Sequence, residues 1–176
     1  MFYIGIDASL TATGIVVIDE DCKLHSSKLI SSKKKDTERL IDLEKIAKEY
    51  LSNYAPDRKL TVMAFLENYS FGSRVGQAFS IGEWGGVLRV LLTKMGFEVV
   101  EVSPPTLKKF VTGKGNAKKE QMLLQVYKKY GQEFKSNDLC DAYGLARMNW
   151  SLGNTKDLAT YEKEAIKTVK EFNEID

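Results

Sequence analysis

The stretch MFYIGIDASLTATGIVVI, residues 1–18, decides how the rest of the chain is read. Residues 2–6 are rich in β-formers, the apolar run stops at Asp7, a turn of small and hydroxyl residues follows, and residues 14–18 form a second run ending at Asp19-Glu20-Asp21. Two extended runs joined this closely predict adjacent antiparallel strands, with Asp7 at the end of the first. An aspartate in that place is either a turn residue, bonding its own backbone, or a ligand. The choice depends on what the neighbouring strands bring beside it.

A weaker extended segment over residues 23–31 completes a meander. From Asp36, Leu40, Leu43, Ile46, Ala47, Tyr50 and Leu51 recur at the spacing of one helix face, until Pro56-Asp57 closes the pattern. Residues 60–66 are a continuous apolar run, as expected of a strand covered on both faces, and it ends at Glu67 as the first strand ends at Asp7. Residues 74–95 read as a helix despite Gly76, Gly82, Gly85 and Gly86. Each glycine costs up to about 1 kcal/mol relative to alanine. That cost implies close packing against a sheet or a second copy of the chain.

Residues 97–102 form another strand, stopped by Ser103-Pro104-Pro105, with short helical turns over 106–111, a glycine-bearing loop and a helix over 117–130. Asn137 is the expected N-cap of a helix over 138–150. The charged tail over 157–173 reads as an amphipathic helix. Strands alternating with helices after a meander indicate an α/β fold, a mixed sheet of about five strands flanked by helices, with sites beyond the carboxyl ends of the central strands.

Composition bounds the alternatives. The chain has 176 residues, 28% charged and 43% hydrophobic, the balance of one soluble globular domain. Its 26 basic and 24 acidic residues leave a formal charge of +2, so the distribution of charge, not the total, bears on a nucleic-acid partner. The two cysteines, Cys22 and Cys140, match no zinc or disulfide spacing and suggest a reducing compartment. No apolar run is long enough to span a bilayer, and the N-terminus lacks a signal-peptide pattern. A cytoplasmic protein without a membrane partner is expected.

The acids carry the chemistry. Asp7 and Glu67 end apolar strands that converge on one sheet edge, and Asp138 and Asp141 stand i, i+3 on a helix at the border of its apolar face, beside Leu145 and Met148. Taken singly, each has a structural explanation: a turn after a strand, or a helix first turn favoured by the dipole. Together they are like charges losing hydration, which is destabilising unless a cation compensates. Oxygen ligands without cysteine or histidine suit a hard cation, magnesium or manganese, better than zinc.

IGIDASLTATG, AFLENYSFG, GQAFSIGEWGGVL, VSPPTLKKFVTGKGNAKKEQM and NDLCDAYGLA together resemble the RuvC family of Holliday junction resolvases, within the RNase H-like superfamily, over nearly all of residues 2–150. The resemblance implies an RNase H-like nuclease domain over 1–153, with 154–176 as a C-terminal helical appendage of the same domain. It implies a catalytic set of Asp7, Glu67, Asp138 and Asp141 holding two Mg2+ ions, with Mn2+ able to substitute, and Asp7 bridging both. It implies a homodimer matched to four-way DNA junctions, cleaving to 5′-phosphate products during recombination, repair or phage DNA processing. The family's opening motif usually reads Asp-Pro-Gly where this chain has Asp7-Ala8-Ser9; that departure and the compact length are closer to the phage-encoded branch, which would work in the host cytoplasm.

Between Glu101 and Glu120 there is no acid, but Lys108, Lys109, Lys114, Lys118 and Lys119 all fall there. Beside Gly113 and Gly115 they can follow a phosphate backbone, giving salt-dependent affinity without sequence readout. Alone, such a run is as easily a solvated face. The resemblance places Lys108 and Lys119 where the family holds basic residues near the scissile phosphate, with Lys119 stabilising its charge. Tyr69 and Phe71 follow Glu67 in a glycine-bearing loop and are candidates to stack on unpaired bases, or else anchors on the core. In the family an aromatic after this glutamate enters the junction, and the alignment leaves Ser70 nearest that place.

Gly113-Lys114-Gly115 lacks the spacing and the Lys-Ser/Thr ending of a P-loop, and no nucleotide cofactor is expected. His25, the only histidine, falls in a peripheral strand, which disfavours a serine-histidine or cysteine-histidine hydrolase. Two other functions compete. An actin-like ATPase or sugar-kinase relative also opens with strand, aspartate and hydroxyl-rich turn, but such two-lobed enzymes need about twice this length. A non-catalytic junction-binding protein would use the lysines and not the acids.

Overall fold

The computed structural model describes residues 1–9, 12–56, 62–68 and 75–175, with the side chains of 75–81 left aside. The opening stretch forms β1 (Tyr3–Ala8) and β2 (Thr13–Ile18), followed by β3 (Leu24–Ile30) and α1 (Asp36–Leu51), which ends in a 3₁₀ turn at Ser52–Tyr54. Then come β4 (Val62–Glu67), α2 (Val75–Lys94), β5 (Phe97–Val102), α3 (Pro104–Thr112), α4 (Lys119–Tyr130), α5 (Asn137–Ser151) and α6 (Thr160–Asn173). The five strands form one mixed sheet in the order β3-β2-β1-β4-β5. β1–β2 and β2–β3 pair antiparallel, while β1–β4 and β4–β5 pair parallel.

Strand alternation sorts the core into two layers. Ile4, Ile6, Ile15, Val17, Ala64 and Leu66 meet α1 and α2 on one face. Val16, Ile18, Phe65, Val100 and Val102 meet α3 to α6 on the other. Gly5 and Gly14 face α5: a Cβ on Gly5 would lie 2.1 Å from the Ala142 carbonyl oxygen, and one on Gly14 would lie 2.2 Å from the Asp138 carbonyl oxygen. The missing side chains let α5 settle onto the sheet at van der Waals distance. Gly14 is opposite Asp7 in the β1–β2 register, so the first turn of α5 comes down over the end of β1.

Among the described residues, a Cβ at Gly82 or Gly86 of α2 would meet nothing within 4 Å, so of the two packing partners expected for these glycines the sheet is not the one these two meet. Two expectations need correction. The turns expected over 106–111 belong to one helix, α3, that starts at the prolines. Proline is tolerated in a helix's first turn because the N–H it lacks would have no helical partner there, and the Ser103 hydroxyl accepts from the Thr106 N–H. The cap of α5 is Ser136 rather than Asn137: Ser136 is extended and its Oγ accepts from the Leu139 N–H at 3.4 Å, while Asn137 is already helical.

The tail helix α6 buries Ala165, Ile166 and Val169 in the α5-side layer. Cys22 and Cys140 are free thiols. Among the described residues, no helix is long and apolar enough to cross a membrane.

Candidate active site

Parallel pairing places the end of β1 beside the end of β4: Ile6 is level with Leu66, so Asp7 and Glu67 follow as neighbours. Both continue the alternation that faces α5, Asp7 two residues after Gly5 and Glu67 two after Phe65. Asp141, in the second turn of α5, completes the group. One carboxylate oxygen each from Asp7, Glu67 and Asp141 lies within 4.8 Å of the others. Asp138 lies one turn earlier, outside that group, with Oδ2 accepting from the Ser136 hydroxyl at 3.3 Å.

Asp7 is only 6% exposed. Burial pushes its carboxyl well above the usual carboxylate range, and Glu67, Asp141 and Asp138 push it further. Asp7 and Glu67 lie close enough that neither can ionise without regard to the other. Glu67 is itself raised by burial, against the opposing effects of contact with Asp7 and the positive charges of Lys108 and Lys119. Asp141 is pushed up to about 7, first by burial and then by Glu67, again held back by Lys119 and Lys108. Packing therefore brings together carboxylates that cannot all ionise without added positive charge. The donor set is oxygen only, crowded and partly dehydrated, and this fits a hard divalent cation.

Of the expected lysines, Lys108 on α3 and Lys119 at the start of α4 act on the acids electrostatically. Lys109 points instead to α6, with its Nζ 2.7 Å from Glu164. Lys114 and Lys118 are exposed beside the same loop. Tyr69 and Phe71 lie outside the described residues. The isolated His25 is on β3, packed against Phe2 and Tyr54 with ring centroids 4.6 and 5.9 Å away.

Sequence reading did not single out the polar residues next to the acids. Asn68 donates through Nδ2 to Glu101 Oε2 at 2.8 Å, and Arg89 of α2 donates through Nε to Glu101 Oε1. These partners are 33 and 12 residues apart, so no local spacing announces them. The one available signal is Glu101 itself, an acid within the otherwise apolar end of β5. Trp84, fully buried on α2, donates from Nε1 to Thr13 Oγ1 at 2.8 Å and ties α2 to β2 near the same edge.

Residues 3–148 match the family model of crossover junction endodeoxyribonuclease RuvC. The chain is 33% identical over 151 residues to crossover junction endodeoxyribonuclease RuvC of Ehrlichia canis, covering 83% of this chain and 94% of that one. It is 31% identical over 153 residues to the Rickettsia prowazekii protein of the same name, with the same coverage of 83% and 94%. In fold it is similar to Thermus thermophilus RuvC (TM-score 0.67, 24% identity, covering 83% of this chain and 91% of that one). The same holds for T. thermophilus RuvC in complex with a Holliday junction substrate (TM-score 0.68, 24% identity, covering 83% and 90%). The match takes in both strands that end in the clustered acids and the helix that carries the third, and the chain belongs to the RuvC family of crossover junction endodeoxyribonucleases.

Proposed function

We propose that this protein cleaves Holliday junctions, and other branched DNA, by divalent-cation-dependent phosphodiester hydrolysis. The observation that carries the reading is the dehydrated group of Asp7, Glu67 and Asp141 within 4.8 Å, set in the part of the chain that matches the RuvC model. Asp7, Glu67 and Asp141 would hold two Mg2+ ions, with Asp138 one turn away completing the set; Mn2+ would substitute. Bound there, such ions lower the pKa of an attacking water and stabilise the leaving 3′-oxygen, leaving 5′-phosphate ends.

The remaining work falls to the chain's own residues. Lys108 and Lys119, whose charges already act on Glu67 and Asp141, draw the phosphate toward otherwise repellent carboxylates. Lys119 offsets charge on that phosphate. Lys114 and Lys118 follow the backbone beyond it, and Lys109 joins them when released from Glu164. Tyr69 and Phe71 stack on unpaired bases at the branch. We read residues 1–153 as the nuclease domain and 154–176 as its helical appendage. The Asp7-Ala8-Ser9 turn supports the phage-encoded branch, acting in the host cytoplasm.

A junction presents two equivalent strands, and a two-fold dimer matches it. The α2 face around Gly82, Gly86, Val87 and Val90 is our interface; Val90 is 54% exposed, and no described atom lies within 4 Å of where a Gly86 side chain would begin. Gly86→Trp is expected to sediment as a monomer and to lose paired incisions, and a wild-type-like dimer would reject this face. The reading as a whole is tested with Asp7→Asn: it should bind a four-way junction and fail to cut it, whereas cleavage at the wild-type rate would remove Asp7 from the chemistry.

A further inference from the structure

β5 is an edge strand, so the backbone groups of Glu101 that point away from β4 have no strand to meet. The side chain of Asn173, in the last turn of α6, takes that place: its Oδ1 accepts from the Glu101 N–H at 2.8 Å and its Nδ2 donates to the Glu101 carbonyl at 2.9 Å. A side-chain amide here mimics a neighbouring peptide and blunts the sheet edge at one residue. That same residue sends its carboxylate across the other face of the sheet, where it accepts from Arg89 of α2 and from Asn68. Asn68 is the residue after Glu67, and its N–H donates to the Val102 carbonyl at 2.8 Å, carrying the β4–β5 ladder one step past the acid.

We infer that Glu101 is a positioning residue for Glu67, fixed by Asn173 from one side and fixing Asn68 on the other. The proposal rests on the reading of Asp7, Glu67 and Asp141 as a cation site. The geometry is specific. Glu67 crosses to the α5 face while Asn68 crosses to the α2 face, so a bond holding the Asn68 side chain sets the plane of the peptide that carries the catalytic carboxylate. Glu101 and Arg89 are each about one-quarter exposed, 26% and 23% at the side chain, so their bonds are shielded from much of the competing water. The device also reaches beyond the family match, which ends at residue 148, because Asn173 belongs to α6. The tail helix is thereby tied to the strand end that carries Glu101.

The test uses the full-length chain and its variants Glu101→Ala, Glu101→Gln and Asn173→Ala, with Mn2+ as the probe. Mn2+ binding is followed by paramagnetic resonance of the free ion. Glu101→Ala should weaken Mn2+ binding about tenfold, the scale of lost support behind a metal ligand. It should lower kcat at fixed Mn2+ and leave KM for the junction within about twofold. Glu101→Gln, which keeps an oxygen acceptor for Asn68, should recover part of the loss, and Asn173→Ala should shift binding in the same direction by less. Amide exchange at Asn68 should speed up in Glu101→Ala. Mn2+ affinity in Glu101→Ala within about twofold of wild type overturns the proposal. Asp7→Asn serves as the control: if it too binds Mn2+ like wild type, the cation-site reading has failed, and the Asn68 exchange rate alone decides whether the clamp exists.

Discussion

Asp7 and Glu67, carboxylates from adjacent parallel strands, end side by side with oxygens within 4.8 Å of each other, and burial raises the pKa of both. In the free protein, proton uptake offsets part of the charge that a bound cation would offset in full. Stability and metal binding are therefore linked, and the site works against the fold that holds it.

That linkage predicts the effect of neutralising Asp7. Asp7→Asn removes a buried ionisable group whose charged form is disfavoured first by burial and then by Glu67. The metal-free variant should melt no lower than wild type at pH 8 and lose the extra stability that Mg2+ confers. Calorimetry with and without Mg2+ measures both, and a melting point several degrees below wild type in the absence of metal would contradict it.

The sign of the pH dependence follows from Asp141. Its folded-state pKa is raised to about 7, well above the ordinary carboxylate range, so the metal-free protein binds the proton more tightly than the unfolded chain does. This contribution is fully present below about pH 4 and is lost as pH rises through about 7. Mg2+ should therefore raise Tm by about 5 °C or more at pH 8 and by much less at pH 5. Equal shifts at both pH values would mean the acids are not the site of binding.

Lys119 holds the Asp141 pKa down. In Lys119→Ala the carboxyl should titrate higher, so the rising limb of cleavage against pH, at subsaturating Mg2+, should move to higher pH. Junction affinity should also fall and its salt slope become shallower by about 1. An unshifted limb would place Lys119 too far from Asp141 to matter.

Gly14→Ala tests how α5 delivers its acids. The new Cβ would start 2.2 Å from the Asp138 carbonyl oxygen and 2.5 Å from its carbon, both backbone, so α5 must move. A loss of about 3 kcal/mol or more is expected in chemical denaturation, with weaker Mg2+ binding in the protein that remains folded. Wild-type stability would show that α5 is seated elsewhere.

Much of this was legible in the sequence because strand-end acids advertise themselves: an apolar run that stops at Asp7 and another that stops at Glu67 imply convergence once the strands are neighbours. What misled was punctuation and glycine. Pro104 and Pro105 do stop β5 but also form the first turn of α3, because a helix start needs no N–H donors there. The glycine spacing of α2 does not mark the close approaches within the chain, which are at Gly5 and Gly14, where two glycines nine residues apart in sequence lie under one helix. The Asn68–Glu101–Asn173 relay was invisible for a physical reason: it depends on the parallel register of β4 with β5 and on α6 returning to the edge strand.

The most direct measurement compares a four-way junction with a linear duplex of the same sequence, each incubated with purified protein with and without Mg2+. The expected result is Mg2+-dependent, paired incision of the junction to 5′-phosphate ends, with the linear duplex left intact. Equal cutting of both DNAs, or junction cutting that persists in excess chelator, would contradict a cation-dependent junction resolvase built on Asp7, Glu67 and Asp141.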